Sequence, residues 1–253
     1  NYVPSVTYNT VTDLNVVRSA GKAFGEFQMD LEDFDLSALV ETIPGFHDTR
    51  KRYADFRRSV EEDKAGRVSS VREEIDYLLS VEDKACCLTD LYRAGKLPLR
   101  VTHNDTKINN VLIDAATGKG ICVIDLDTVM PGLSAYDFGD SIRTGANDCA
   151  EDEPDQSKVH FDLHLYEVFA KGYLSTAGAS MSIAEKKSLA WGARLMTLEC
   201  GIRFLTDYLE GDHYFHIARP DHNLDRARTQ FTLVRQMEEV FDQMLEIVCP
   251  DNH

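Results

Sequence analysis

The sequence predicts an α+β fold that is mainly helical and carries one small β-sheet. Apolar residues recur at helical spacing on both sides of the middle of the chain, three short β-branched runs cluster between residues 97 and 124, and no internal repeat is present. With 253 residues, 43% of them hydrophobic, the chain has ample material for a buried core. We therefore expect a globular protein in which a helical body supports a small sheet.

The N-terminal part predicts a linker followed by helices. Residues 1–12 are polar and poor in helix formers, which is typical of a linker. Asp13 then opens a helical pattern with an apolar face, because carboxylates favour helix N-termini. Two further helices are predicted over residues 46–61 and 71–93.

Three short apolar runs in the middle of the chain predict strands. They cover residues 97–101, 110–114 and 120–124, and Gly118 and Gly120 favour a tight turn between the last two. The polar residues of this region fall at strand ends and on the loops between them. Loops that a rigid scaffold supports are where catalytic groups usually lie.

The C-terminal part predicts an acidic connection and three helices. Residues 145–157 hold five carboxylates, which favours a mobile, solvated loop. The helical patterns that follow cover residues 161–174, 183–208 and 223–248.

The polar chemistry concentrates in the pattern His-x-Asp-x-x-x-x-Asn, formed by His103, Asp105 and Asn110 and followed after a hairpin by Asp125. Phosphoryl transfer needs such a set: one carboxylate orients and deprotonates a hydroxyl, while a carboxamide and a second carboxylate hold Mg²⁺ against the phosphates. An isolated Asp-x-x-x-x-Asn would more often serve as turn or capping chemistry. Here the histidine, the hairpin and the strand end fall in register, which favours the catalytic interpretation.

The segment resembles the catalytic and metal loops of the aminoglycoside phosphotransferase and choline kinase group, relatives of the protein kinases. The closer likeness is to the N-acetylhexosamine 1-kinases, and it is carried by the strings VTHNDTKINN, VIDLDTVMPG, YDFGDSIR, LECGIRFLTDYLEGD and HNLDRARTQ. The resemblance covers nearly the whole chain. It implies that residues 13–253 form a protein-kinase-like C-terminal catalytic lobe and that residues 1–12 are the linker between lobes.

The resemblance also implies a role for each matching position. Asp105 would be the base and would orient the acceptor hydroxyl, Asn110 and Asp125 would be the magnesium ligands, and Lys107 would lie near the transferred phosphate. The implied reaction moves the γ-phosphoryl group of ATP to the anomeric hydroxyl of N-acetylglucosamine or N-acetylgalactosamine.

Two further residues, Arg203 and Tyr214, match family positions that hold the sugar. On residues alone, Arg203 follows Glu199 by four positions in a predicted helix, so a solvated ion pair is the alternative.

Supporting roles are expected for three residues close to the loops. His103 would buttress the catalytic loop rather than take part in chemistry. Asp127 and Asp137 would fix loops, since carboxylates near a helix N-terminus serve that purpose.

A kinase of this group also needs a strand-rich lobe with a phosphate-covering loop and a strand lysine. No Gly-x-Gly-x-x-Gly or Gly-x-x-x-x-Gly-Lys-Ser/Thr pattern precedes Asp105. We therefore expect the C-terminal lobe of a longer enzyme, which would transfer phosphate poorly alone. Two alternatives remain: another small-molecule kinase of the aminoglycoside, choline or homoserine type, and a non-catalytic kinase-like binding module.

Composition limits the partners. A net charge of −16 excludes the concentrated basic surface that nucleic acids require, whereas ATP binding needs only local cations. No apolar run approaches the roughly 20 residues of a membrane span. The six cysteines show no Cys-x-x-Cys pair, which favours reduced thiols and a cytoplasmic protein. We expect ATP, Mg²⁺ and a small sugar as ligands, and the sequence leaves the oligomeric state open.

Overall fold

The computed structural model describes residues 4–8 and 13–250. Its helices are Leu14–Asp30 (α1), Thr49–Glu62 (α2), Arg72–Ala85 (α3), Cys87–Arg93 (α4), Ser134–Gly145 (α5), Leu163–Ala177 (α6), Ile183–Glu210 (α7), His222–Glu239 (α8) and Phe241–Val248 (α9). Its strands are Arg100–Thr102 (β1), Val111–Ile113 (β2), Gly120–Val123 (β3) and Met130–Gly132 (β4). The prediction of a mainly helical α+β fold is confirmed.

The strands form two antiparallel two-stranded sheets instead of the one sheet that the sequence predicts. β2 pairs with β3, and β1 pairs with β4, a strand that sequence reasoning missed. The physical reason lies after β3, where Asp125 adopts a left-handed conformation with φ 64° and a short 3-10 turn, Leu126–Thr128, follows. The chain is thereby turned away from the hairpin, and β4 runs beside β1.

Helix boundaries differ from the sequence prediction where one apolar pattern runs through two consecutive helices. The predicted helix over residues 71–93 is divided at Cys86, and the one over residues 223–248 is divided at Val240. The start of α1 follows the prediction, because Asp13 is the N-cap and accepts the N–H of Asn15 at 2.9 Å.

Part of the predicted linker can be compared with the structure. Val6 bridges to Ile113 through backbone hydrogen bonds of 2.9 Å in both directions, so this residue is attached to β2. The remainder of the prediction falls on residues 1–3 and 9–12, which lie outside the described residues.

Two helix pairs approach so closely that their backbones touch. A Cβ atom on Gly172 of α6 would lie 2.3 Å from the carbonyl oxygen of Arg18 in α1. A Cβ on Gly139 of α5 would lie 2.2 Å from the carbonyl oxygen of Gly192 in α7. Only glycine allows such contact, and these crossings set the spacing between the helices.

The core consists of two apolar clusters, and α7 contributes to both. One cluster surrounds α2, α3 and the C-terminal part of α7, with Phe56 and Leu205 fully buried. The other lies among α1, α5 and α6, where Phe138 packs edge-on against Tyr166 at 5.7 Å. This places α7 as the central helix behind the loops that follow β1 and β3.

The acidic segment over residues 145–157 is held to the helices, contrary to the mobile, solvated connection that its composition predicts. Glu151 pairs with Arg143 at 2.9 Å, and Asp152 pairs with Arg219 at 3.2 Å and His222 at 2.9 Å.

In the described part of the chain, every helix is too short or too polar to cross a membrane.

Candidate active site

The loop after β1 brings three of the predicted site residues into contact. Asn110 donates both amide hydrogens to Asp105, at 2.7 Å to the backbone carbonyl and 3.2 Å to Oδ2. The ammonium group of Lys107 lies 2.8 Å from Asp105 Oδ1. Because the amide hydrogens of Asn110 point at Asp105, the amide oxygen of Asn110, Oδ1, is the atom of that side chain available to a cation.

Asp125 lies next to this group because of the β2–β3 hairpin. The N–H of Ile124 donates to the carbonyl of Asn110 at 2.9 Å, and Asp125 follows directly. Its side chain is exposed and its φ of 64° is uncommon for a residue other than glycine. Backbone strain of this kind clusters at functional sites.

His103 joins the two loops that carry these residues. Its Nε2 lies 2.9 Å from the carbonyl of Ile124, which can only accept, so Nε2 carries the proton. Its Nδ1 accepts the N–H of Asp105 at 3.3 Å, and Phe24 and Phe27 pack edge-on against the ring. The imidazole is fully buried and faces neither solvent nor an acceptor site.

Asp137, at the start of α5, holds the backbone of the catalytic loop. Its carboxylate accepts the N–H groups of His103 and Asn104, each at 2.8 Å, and the amide of Gln28 at 3.1 Å. Burial raises the pKa of Asp137, and the two backbone hydrogen bonds oppose that shift. Asp127, in contrast, is exposed in the short turn after Asp125.

The charge of Lys107 is secured by its neighbours. Burial alone would lower the pKa of Lys107, but the hydrogen bond and the negative charge of Asp105, with Asp140 nearby, raise it. Lys107 is therefore an ammonium ion at neutral pH and can face phosphate oxygens.

A cavity of about 430 Å³ opens beside Asp105 and reaches the polar flank of α7. The loop side supplies Asn104, Asp105 and Lys107, and α7 supplies Glu199 and Arg203. The structure thus brings Arg203 to the same cavity as the predicted base.

Arg203 is held among aromatic rings. Its guanidinium carbon lies 5.6 Å from the ring centre of Phe46, 5.4 Å from that of Phe215 and 5.9 Å from that of Tyr214. Among the described residues no ion pair joins Arg203 to Glu199, whose carboxylate binds His47 instead. The solvated ion pair that the four-residue spacing allows is therefore absent there.

Tyr214 does not share the cavity of Asp105. Its side chain is 74% exposed and lines a neighbouring cavity of about 410 Å³, to which Arg203 also belongs. The structure therefore separates Tyr214 from the catalytic loop while keeping it beside Arg203.

The sequence did not predict two sets of side-chain contacts that support the site. The buried carboxylate of Asp207 accepts the N–H groups of His213, Tyr214 and Phe215 at 2.8–2.9 Å and so shapes the aromatic loop. The other is the contact between His47 and Glu199, 152 positions apart. No local spacing signals either arrangement.

The oxygen atoms of Asn110 and Asp125 suit magnesium better than zinc. Mg²⁺ takes one or two carboxylates and completes its octahedron with water and phosphate oxygens. Over residues 4–8 and 13–250 no group of three or more His, Cys, Asp or Glu side chains is arranged to hold a metal ion by itself. The donor set fits a cation that arrives with a nucleotide.

Comparison with known proteins gives two findings. The model of the phosphotransferase enzyme family (APH) matches residues 2–173. The fold is similar to that of an ethanolamine kinase from Plasmodium vivax, with a TM-score of 0.59 and 14% sequence identity, over 96% of this chain and 66% of that one. This chain therefore spans slightly less than two thirds of that protein, and the likeness concerns the fold.

Proposed function

Because the chain belongs to the phosphotransferase enzyme family, we propose that it is the catalytic and acceptor-binding lobe of an ATP-dependent N-acetylhexosamine 1-kinase. One observation carries the proposal: Asp105, which is bonded to Asn110, lines a cavity that Arg203 also lines, and the backbone bond from Ile124 to Asn110 brings the chain at Asp125 next to this loop. This arrangement supports both a phosphoryl-transfer end and an acceptor-binding end.

In the proposed reaction Asp105 binds the anomeric hydroxyl and takes its proton as the hydroxyl oxygen bonds to the γ-phosphorus of ATP. The bond from that phosphorus to the β,γ-bridging oxygen breaks, and ADP leaves. A positioned base typically contributes about 10²- to 10⁴-fold to such a step. Lys107 faces the transferred phosphoryl group, having exchanged its contact with Asp105 for phosphate oxygens. Asn110 Oδ1 and the Asp125 carboxylate would hold Mg²⁺, which would neutralise the nucleotide phosphates.

The charges of the cavity leave Arg203 available to an oxygen-rich acceptor. Of the four carboxylates that line the cavity, Glu199 is bonded to His47, Asp140 and Glu151 are paired with Arg143, and Asp105 is paired with Lys107. Arg203 has no carboxylate partner in the described part of the chain and offers donors only. Sugar hydroxyl and amide oxygens complement such donors.

The nucleotide needs more than these loops. No Gly-x-Gly-x-x-Gly or Gly-x-x-x-x-Gly-Lys-Ser/Thr pattern precedes Asp105, so we propose that groups outside these loops hold the nucleotide. The chain alone is then expected to bind acceptor weakly and to transfer phosphate poorly. The setting is proposed as cytoplasmic, where ATP is available.

The second candidate is a kinase for a different small alcohol of the choline, homoserine or aminoglycoside type. The likeness to the fold of an ethanolamine kinase favours keeping it. A non-catalytic kinase-like module is the third, and the intact set of Asp105, Asn110 and Asp125 argues against it.

Product analysis on the enzyme that contains this chain tests the proposal. N-acetylglucosamine, N-acetylgalactosamine, hexoses, choline, ethanolamine and homoserine are supplied side by side with ATP and Mg²⁺, and the products are identified by NMR. Anomeric sugar phosphate is the expected product. Phosphocholine or phosphoethanolamine as the main product would support the second candidate, and Mg²⁺-dependent ATP binding without any product would support the third.

The matching substitution is Asp105→Asn, with Asp114→Asn in the exposed turn of the same hairpin as control. We expect kcat to fall by about 10²- to 10⁴-fold in Asp105→Asn, because the amide cannot accept the proton, with little change in the KM for sugar. The control is expected to retain activity. Near-normal turnover of Asp105→Asn would refute the assignment of the base.

A further inference from the structure

His47 and Glu199 form a buried pair in the wall of the acceptor cavity. His47 lies just before α2, and Glu199 lies on α7 one turn before Arg203. The imidazole packs between the rings of Phe46 and Tyr136, whose centres are 4.4 and 4.9 Å away. The side chains of His47 and Glu199 are only 7% and 2% exposed.

The hydrogen bonding of the pair fixes one ring nitrogen and leaves the other unused. Nδ1 of His47 lies 2.9 Å from Glu199 Oε1. The carboxylate can only accept, so Nδ1 carries a proton, and Nε2 is an acceptor when the ring carries that proton alone. Nε2 is buried and has no hydrogen-bond partner within the described residues.

An acceptor atom in this state costs free energy unless something binds it. Protein groups usually satisfy buried nitrogen atoms, and exceptions point to a function or to a ligand. A ligand that donates a hydrogen bond to Nε2 would remove the cost. The donor must be compact, because the rings of Phe46 and Tyr136 lie close to the imidazole.

The position of the ring points to the acceptor as the source of that donor. His47 and Glu199 line the 430 Å³ cavity together with Asp105 and Arg203. His47 also lines a second cavity of about 370 Å³ beyond Phe46 and Asn104. His47 therefore lies in the shared wall of the 430 Å³ cavity and the 370 Å³ cavity.

We propose that His47 is a specificity-determining residue whose Nε2 accepts a hydrogen bond from an acceptor hydroxyl other than the one that is phosphorylated. The inference rests on the proposed function and extends it. Glu199 is a positioning residue, since it holds the ring and its tautomer. Asp105 and His47 then accept two different hydroxyls of one polyhydroxylated ligand, while Arg203 donates to its oxygens.

Two variants of one residue separate recognition from mere structure. The amide of His47→Asn occupies the place of Nδ1 and keeps the contact with Glu199 but has no atom at Nε2. The amide of His47→Gln reaches the place of Nε2 and loses the contact with Glu199. A role confined to holding Glu199 predicts a normal Asn variant, whereas the proposed role predicts a weakened one.

The measurement is calorimetric binding of N-acetylglucosamine, and of its monodeoxy analogues, to the enzyme that contains this chain. We expect His47→Asn to weaken the parent sugar about tenfold, as loss of one hydrogen bond does, and His47→Gln to weaken it less. One monodeoxy analogue is expected to bind wild type and His47→Asn equally, because it lacks the hydroxyl that Nε2 accepts. Thermal melts of both variants check that they are folded.

The outcomes are distinct. Unchanged binding in His47→Asn, or equal weakening of the parent and every analogue, overturns the inference while the proposed function stands. Failure of wild type to bind any N-acetylhexosamine overturns both.

Discussion

Replacing Asp137 by alanine is expected to destabilise the catalytic loop and the whole fold. The substitution leaves the N–H groups of His103 and Asn104 without a partner, and Gln28 Nε2 loses one of its two hydrogen bonds while keeping the one to the Val101 carbonyl. The carboxylate is 2% exposed, so water has little access to replace it. At about 1–3 kcal/mol for each of the two unpaired N–H groups, the loss is at least about 2 kcal/mol.

The control for Asp137→Ala is an aspartate that also accepts two backbone N–H groups but is exposed. Asp162 is an exposed N-cap of α6 that accepts the N–H groups of His164 and Leu165 at 2.8 and 3.0 Å. Replacing a cap of this kind by alanine costs about 1 kcal/mol. The comparison of Asp137→Ala with Asp162→Ala therefore isolates the contribution of burial.

The assay is urea unfolding at neutral pH, followed by circular dichroism, with the two midpoints compared at equal slope. Amide hydrogen exchange at residues 103 and 104 supplies the local readout, and we expect faster exchange only in Asp137→Ala. A midpoint for Asp137→Ala no lower than that of Asp162→Ala would refute the view that this carboxylate anchors the loop.

The remaining predictions concern the packing of the body. Gly172→Ala places a Cβ 2.3 Å from the Arg18 carbonyl oxygen and is expected to lower the free energy of unfolding by about 1–3 kcal/mol. The control, Ser175→Ala on the exposed face of the same helix, is expected to lower it by no more than about 0.5 kcal/mol. Equal unfolding midpoints for the two variants would show that α1 and α6 can move apart without cost. Glu185→Gln weakens the 2.7 Å bond from Arg100 and is expected to cost about 1–2 kcal/mol at pH 7. Burial opposes the charge of Glu185, but the hydrogen bond from Arg100 holds its pKa below 4.5, so this contribution is present above that pH and is lost as the pH falls through the lowered pKa. The gap between wild type and Glu185→Gln should therefore narrow in acid, and a gap that widens there would contradict the sign.

Local patterns predicted local structure well. The spacing from His103 to Asn110 and the glycines of the hairpin predicted the loop and the strands that carry it, since both depend on neighbours within a few residues. The assignment of Asp105, Asn110 and Asp125 to catalysis and metal binding remains a prediction.

Contacts between distant segments could not be predicted in the same way. Glu199 pairs with His47 across 152 positions, and the choice of this partner over Arg203, four residues away, depends on how α2 packs against α7. The aromatic surroundings of Arg203 likewise depend on Asp207, which folds the loop carrying Phe215. Helical periodicity tells which face of α7 is buried but not what lies against it.

The contact between Gly139 and Gly192 has a consequence for how acceptor preference can change over evolution. α5 holds the loop after β1 through Asp137, and α7 carries Arg203, so the backbone contact between the two helices fixes the distance between the proposed base and the proposed acceptor-binding residue. Side chains on the cavity-facing side of α7 can then change to admit new acceptors while the positions of the residues in the loop after β1 stay the same. Substitution of either glycine would instead alter both ends together.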